Sequence, residues 1–446
     1  MNNETDQAMI LLHQLWNQRR QNLWIFAELL IVGFFLWMVV DPVFVLTANR
    51  LIDQGGDVRG MYVFGLYQYD TSFGQYDAAQ DSAPVMRRHY LSIVRALKDC
   101  PEVESVAITT NGGFPNSQSW NGMMLYGADS TRLHVQCYEF VSLEGSDLPH
   151  TCGMRDARTN RRIALPADFA ARGQIAISRR AAIALCGTPD AVGRTVYTDS
   201  RLTQPCQVAA VFHDYKNYTS EQPYPLAVIA TPDLSTSPYM GLTYPVVLRL
   251  RPEADARAFE SRFAREVAPS LPRGNFFAST LQTFDSYSRQ QALVSGITGK
   301  LRLQYALGGF ALLCIFLGMT GTFYVRTRTR RAEIGLLCAL GASRASVVRR
   351  FLLEAWVLVT VAYALSLIAV AHYAFISGFA ESLRAAGDAA YLLAPDPAYV
   401  QNRPWAHFCL VSVLVYVLLL LTALAGTCLP AGRAARIGPA AALREE

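Results

Sequence analysis

The chain has 446 residues, 52% of them hydrophobic and 17% charged, and its apolar residues gather into four blocks that two or three soluble domains would not explain. A net charge of +5 would suit a nucleic-acid partner if it formed one basic face. Clusters of arginine instead flank the apolar blocks, which membrane boundaries explain more economically, and no nucleic-acid partner is expected.

Residues 1–21 come first. Over Ala8 to Arg20, Met9, Leu12, Leu15 and Trp16 share one helical side, while His13, Gln14 and Asn17 lie elsewhere. An amphipathic helix in the cytoplasmic interface is expected there, with a plain extension of the next span as the alternative. That span, residues 22–46, runs from Leu23 to Val40 and on to Leu46 past Asp41-Pro42. A helix needs roughly 20 apolar residues to cross about 30 Å of hydrocarbon. An uncleaved anchor is expected rather than a cleavable signal, because the apolar core is long and no small-x-small site follows it. Glu28, its only charge before Asp41, lies about one and a half turns from the inner edge, so snorkelling is expected rather than a proton path.

Residues 47–302 read as an α+β domain with room for two subdomains. Val85 to Lys98 has helical spacing in Tyr90, Ile93, Val94 and Leu97. Strands are expected at Val103 to Thr109, Gln174 to Ser178, Thr195 to Tyr197, Gln207 to Phe212 and Tyr244 to Leu250. A helix should run from Ser178 through Leu185 and stop at Gly187, and another should cover Ala254 to Val267. Five cysteines lie in this segment, so they cannot all pair within one chain; Cys137 with Cys152, or Cys186 with Cys206, are open options beside simple burial. Histidines 89, 134, 150 and 213 lack metal-ligand spacing, and no metal is expected.

The second span covers residues 303–325, with its apolar block from Tyr305. Just before it, Gly299-Lys300 superficially suggests a phosphate loop, but Val294 stands where the first glycine is needed and Leu301 where Ser or Thr is needed. No ATP site and no catalytic constellation is therefore recognised, and no enzyme activity is expected of this chain. Residues 326–350 form a cytoplasmic hairpin with Arg326, Arg328, Arg330, Arg331, Arg344, Arg349 and Arg350 against Glu333 alone. Its Arg331 to Leu340 stretch suits a helix, with Ile334, Leu337 and Leu340 as an apolar stripe and Glu333 in the first turn. Gly341 is placed to end that helix left-handed, and Ser343 to cap the next. Small residues Gly335, Ala339 and Ala342 would let a partner's surface approach, against the alternative of an interfacial anchor.

The third span is residues 351–376, with Ala355 to Ile376 as its apolar block and His372 near the outer interface. Residues 377–405 form a loop in which Arg384 and Arg403 face Glu381, Asp388 and Asp396. The fourth span, residues 406–428, precedes a tail, 429–446, carrying Arg433 and Arg436. With Arg19 and Arg20 ahead of the first span, every flank agrees on one topology: both termini cytoplasmic, residues 47–302 and the 377–405 loop outside. The expected fold class is an α-helical membrane protein with four transmembrane helices and a large α+β extracytoplasmic domain inserted between helices 1 and 2.

The hairpin runs Arg330-Arg-Ala-Glu-Ile-Gly335, Ala339-Leu-Gly-Ala-Ser343 and Phe351-Leu-Leu-Glu-Ala355, and the tail runs from Pro430-Ala-Gly-Arg433 to Arg444. Together they resemble FtsX-like ABC transporter permeases of the MacB (macrolide exporter) and lipoprotein-release type. Ile177 to Ala181, Val192 to Val196 and Val208 to Asp214 are similar to that family's periplasmic core domain. The resemblance implies a bacterial inner-membrane permease dimer, homo- or heteromeric, whose hairpin is a coupling helix docked on a separate ATPase that binds ATP and Mg. By position, Glu333, Ile334, Gly335, Leu337, Leu340, Gly341 and Ala342 would make or shape that contact, and Glu354 would sit at the inner end of the third span. Cys338 departs from the basic or polar residue often found there. The implied function is mechanotransmission that drives efflux from the periplasm with an adaptor and outer-membrane channel. The alternatives are a signalling module controlling a cell-wall hydrolase and a lipoprotein-release permease. The fused ATPase domain of macrolide exporters is not part of the resemblance, so a partner ATPase is expected.

Overall fold

The computed structural model describes residues 19–117, 121–128, 134–236, 243–376 and 396–436. The expected interfacial helix before Arg19, most of the 377–405 loop and the tail beyond residue 436 lie outside the described residues. Along the chain, helix α1 (Arg19–Leu51) is followed by β1 (Met61–Gln68), α2 (Ala83–Lys98), β2 (Val103–Ile108), β3 (Gly122–Gly127) and β4 (His134–Ser142). Then come β5 (Ile175–Ser178), α3 (Arg179–Cys186), β6 (Thr195–Tyr197), β7 (Pro205–Phe212), β8 (Leu226–Ala230), β9 (Tyr244–Leu250) and α4 (Ala256–Arg262). Strands β10 (Phe276–Ala278) and β11 (Gln282–Thr283) and helices α5 (Phe284–Val294), α6 (Ile297–Thr329), α7 (Arg331–Ala339), α8 (Arg344–Ile376) and α9 (Pro404–Ala434) complete the order.

The chain divides into two compact units, one built from the chain up to Ala48 and most of it from Gly299 on, the other chiefly from Asn49–Thr298. In the first unit α1, α6, α8 and α9 are long and apolar enough to cross a membrane. Helix α1 does not stop at Asp41-Pro42 but runs through Pro42 to Leu51, and α6 starts at Ile297, earlier than the apolar block suggested. The Gly299-Lys300 pair is therefore helical and not a loop. Buried side chains recur at helical spacing in one shared cluster, Ile315, Met319 and Phe323 on α6 and Val411, Val415, Leu419 and Ala423 on α9. A Cβ at Gly426 would stand 2.7 Å from the Phe316 carbonyl oxygen, so glycine lets the α6 and α9 backbones meet, and Thr320 Oγ1 donates to the Gly426 carbonyl at 3.0 Å.

Polar contacts join the same helices where water is excluded. Trp37 Nε1 lies 3.3 Å from Ser412 Oγ, and the Tyr363 hydroxyl donates to the Ser412 carbonyl at 2.9 Å. Asp41 Oδ1 and His407 Nε2 stand 2.6 Å apart with both residues buried, and His407 Nδ1 lies 3.1 Å from the Gln401 carbonyl oxygen. Asp41 thus joins α1 to α9 and does not mark the end of a span.

The second unit contains two sheets. One has the order β10-β1-β9-β2 with β11 beside β1, all antiparallel; the other closes as a barrel, β3-β4-β8-β5-β7-β6, with β4–β8 and β5–β7 parallel. Alternation explains how β9 can be buried throughout. Tyr244, Val246, Leu248 and Leu250 join the cluster that receives Tyr90, Ile93, Val94 and Leu97 of α2 and Phe259 of α4, while Val247 turns to the opposite cluster. Strand β1 is split the same way, with Tyr62, Phe64 and Leu66 on one side and Met61 and Val63 on the other. Helix α3 starts on Ser178, whose hydroxyl accepts from the Ala181 amide, and ends at Gly187 with φ of 69°.

Expectation and structure differ at several points. Strands β1, β3, β4, β8, β10 and β11 and helix α5 had not been foreseen, and the helix expected to reach Val267 leaves α-geometry after Arg262 for a π-turn over Phe263–Val267. No disulfide forms among the described residues. Cys137 and Cys152 sit in different apolar clusters, and burial pushes both thiols up, that of Cys152 to about 12, leaving them unreactive.

Two buried cations satisfy backbone carbonyls in this unit. Arg249 donates to the carbonyls of Thr151 at 2.8 Å, Arg59 at 3.0 Å and Asp57. Lys216 Nζ donates to those of Asn49 at 2.8 Å and Ile52 at 3.2 Å. Burial lowers the Lys216 pKa from 10.5 to about 8. Between those two values the unfolded chain holds a proton that the folded chain has released, so stability rises with pH across that window. Thermal unfolding of the purified chain should therefore show the Tm of the native protein rising relative to Lys216→Met from about pH 8 to about pH 10.5. A flat difference would contradict the assignment.

Candidate functional site

The hairpin between α6 and α8 is built by local rules on each side. Arg331 to Ala339 forms α7, with Glu333 in its first turn, where a carboxylate suits the exposed amides. The helix ends in a Schellman motif: the Gly341 amide donates to Cys338 and the Ala342 amide to Leu337, at 3.1 Å and 3.0 Å. The motif requires a left-handed residue, and Gly341 supplies it with φ of 92°. Two residues on, Ser343 caps α8, its hydroxyl accepting from the Ser346 amide at 3.2 Å.

Charge fastens this hairpin to the helix ends. Glu354, 1% exposed on α8, lies with Oε1 2.6 Å from Arg330 Nη1 and Oε2 3.5 Å from Arg326 Nη1. Arg326 also lies over the Phe323 ring at 4.8 Å, and Phe323 meets Phe351 edge-on. One carboxylate from α8 thus holds two guanidiniums from the end of α6 and the turn after it. Nearer the surface, Glu333 pairs with Arg350 at 3.2 Å. Ile334 enters the cluster formed by Phe323, Val347 and Phe351, which pins α7 from below.

The seven hairpin residues expected at a docking surface divide between two sides. Glu333, Leu340 and Gly341 are exposed, Leu337 and Ala342 are half-buried, and Ile334 and Gly335 are buried. Ile334 and Gly335 therefore hold α7 down and do not offer a surface. The stripe Ile334, Leu337, Leu340 fails because steps of three residues at about 100° each lag a full turn by about 60°. After two steps Leu340 has left the buried face. Leu336, one turn before it, lies with it outward, and the pair is 55% and 77% exposed.

Leu336, Arg326 and Arg330 had not been foreseen. The i, i+4 spacing of Leu336 with Leu340, and of Arg326 with Arg330, was the available signal. Among the described residues no group of three or more His, Cys, Asp or Glu side chains could hold a metal ion.

Removing the Glu354 charge leaves two desolvated guanidiniums facing each other. Glu354→Gln should destabilise the membrane unit by about 3–5 kcal/mol, the cost of breaking a buried pair. Adding Arg330→Gln should recover part of that loss, because one orphaned charge is then gone. Thermal unfolding of the single and double variants in detergent measures both; additive losses would mean that the two side chains do not act as a pair.

Three comparisons bear on this geometry. Residues 305–439, which contain α7, α8, α9 and most of α6, match the family model described as FtsX-like permease C-terminal. No curated protein sequence matches the chain. Among solved structures, the periplasmic region of MacB from Actinobacillus actinomycetemcomitans aligns at 11% identity over 54% of this chain and 96% of its own, with a TM-score of 0.32. A domain of a putative permease protein from Porphyromonas gingivalis aligns at 15% identity over 50% of this chain and 90% of its own, with a TM-score of 0.31. The family match coincides with the segment in which the helices, the ion-paired hairpin and the exposed leucine pair were found, and residues 305–439 are an FtsX-like permease C-terminal domain.

Proposed function

We propose that the chain is the permease subunit of an ABC transporter, driven by a separate ATPase that docks on α7 and the turn after it. The observation that carries this reading is the pairing of Leu336 and Leu340, exposed on a short helix whose other face is held by Ile334 and whose base is held by Glu354. An apolar tip on a restrained element can transmit force without first reorganising, and an apolar anchor is what a partner's groove would bury.

In this reading the termini and hairpin are cytoplasmic and residues 47–302 are periplasmic in a bacterial inner membrane, an orientation supported by the arginine distribution. ATP and Mg are bound by the partner. Dimerisation is supported by the outward face of α6, where Leu303, Phe310, Leu317 and Tyr324 recur every seventh residue and remain exposed. Gly309 and Gly321 leave open space on the same helix for a second helix to approach. Closure of the ATPases would move α7, and with it α6 and α8, and so drive the periplasmic domain to expel substrates with an adaptor and an outer-membrane channel.

Reconstitution in vesicles with the ATPase that co-purifies from native membranes tests the coupling. Replacing both leucines with aspartate should lower stimulation of the ATPase at least about tenfold, as expected for truncated interface anchors, while membrane insertion is unchanged. Gly341→Val should act in the same direction, because a β-branched residue is strained at a φ of 92° and would shift the exposed pair. Full stimulation by both variants would count against docking at this hairpin. Recovery of a cell-wall hydrolase instead of an adaptor and channel would redirect the output to signalling.

A further inference from the structure

An open groove of about 710 Å³ lies between the start of α8 and the end of α9. Its rim carries Arg344, Arg349 and Arg436, and its wall continues along α8 through Leu352 and Leu353 to Trp356. We propose that this groove binds one anionic phospholipid, the three arginines taking the phosphate and the leucine wall taking the upper acyl chain.

Charge supports that occupant. The groove's lining contains no acidic side chain, and among the described residues no carboxylate pairs with any of the three arginines. Glu333 is engaged by Arg350 and Glu354 by Arg326 and Arg330, so neither neutralises this rim. Guanidinium groups present paired donors that match phosphate oxygens, and basic pockets between transmembrane helices recognise anionic headgroups.

Depth supports it as well. Trp356 lies seven residues beyond Arg349 on α8, about 10 Å at the standard rise. That separation carries the wall from phosphate level past the headgroup boundary, with the half-exposed indole lying along the groove. Gly432 of α9 keeps the space open, since a Cβ there would meet nothing within 4 Å. A free anion would use the arginines and leave the leucine wall unoccupied, whereas a phospholipid uses both. The site does not depend on ATPase coupling.

Native mass spectrometry of the purified full chain, titrated with phosphatidylglycerol and separately with phosphatidylcholine, tests the proposal. One phosphatidylglycerol should be retained at least about tenfold more tightly than phosphatidylcholine. The triple variant Arg344→Gln, Arg349→Gln, Arg436→Gln should lose that preference. Gly432→Leu, which places a branched side chain at the groove's lining and keeps every charge, should weaken binding of both lipids. Circular dichroism and thermal unfolding identify any variant that has not folded. Three results would overturn the proposal: equal retention by the native chain and both variants; displacement of the lipid by equimolar inorganic phosphate, which would reduce the site to an anion site; and undiminished lipid binding with loss of a partner protein, which would assign the arginines to protein docking.

Discussion

The carboxylate of Glu354 is the constraint on which the hairpin end of the membrane unit depends. It lies almost completely buried between Arg326 and Arg330, so breaking either contact would leave charge in a medium that cannot solvate it. That cost makes the relative position of α6 and α8 stiff at this level. The hairpin inherits the stiffness: Ile334 enters the apolar cluster beside Phe323 and Phe351, and Glu333 ties the outer side of α7 to Arg350. In the proposed reading α7 needs this property, because a displacement imposed at Leu336 and Leu340 would be transmitted only if α7 did not simply rotate in place.

Farther along the same helices, specificity comes from polar groups placed where no water competes. Asp41 with His407, and Trp37 and Tyr363 with Ser412, select one rotation of α1 and α8 against α9. Apolar contacts alone would tolerate several, because lipid is as good a solvent for leucine as another helix. In the second unit Arg249 and Lys216 have a related role, supplying donors to carbonyls of helix ends and loops outside the strands.

Much of the architecture was legible. The apolar blocks are apolar on every side, so their length alone reports helices that can span a membrane. The Gly341 break and the Ser343 cap were readable because a left-handed turn and a helix start each demand particular residue types locally. Strand β9 was readable as an apolar run broken only by Arg249, but β1, β3 and β4 were not: with glycines, methionines and polar residues among their apolar positions, only pairing with partners distant in sequence makes them strands.

The hairpin's start and stop signals were legible in the sequence, and the orientation of its side chains was not. Glu333, Leu340 and Gly341 are exposed, while Ile334 and Gly335 turn inward and Leu336 outward. A nine-residue helix has apolar residues on more than one side, and its own sequence does not say which side will be covered. That depends on where α6 and α8 present Phe323, Val347 and Phe351. By itself the sequence determined the helical spans, the charge asymmetry across them and the local signals that start and stop α7, because these follow from backbone sterics and solvation of individual residues. Only the tertiary structure decided that two arginines would share Glu354, that Asp41 would meet His407, and which leucines of α7 would face outward. The first two outcomes depend on groups brought together across 24 to 366 residues of chain, and the third on the packing of three helices, where no local rule acts.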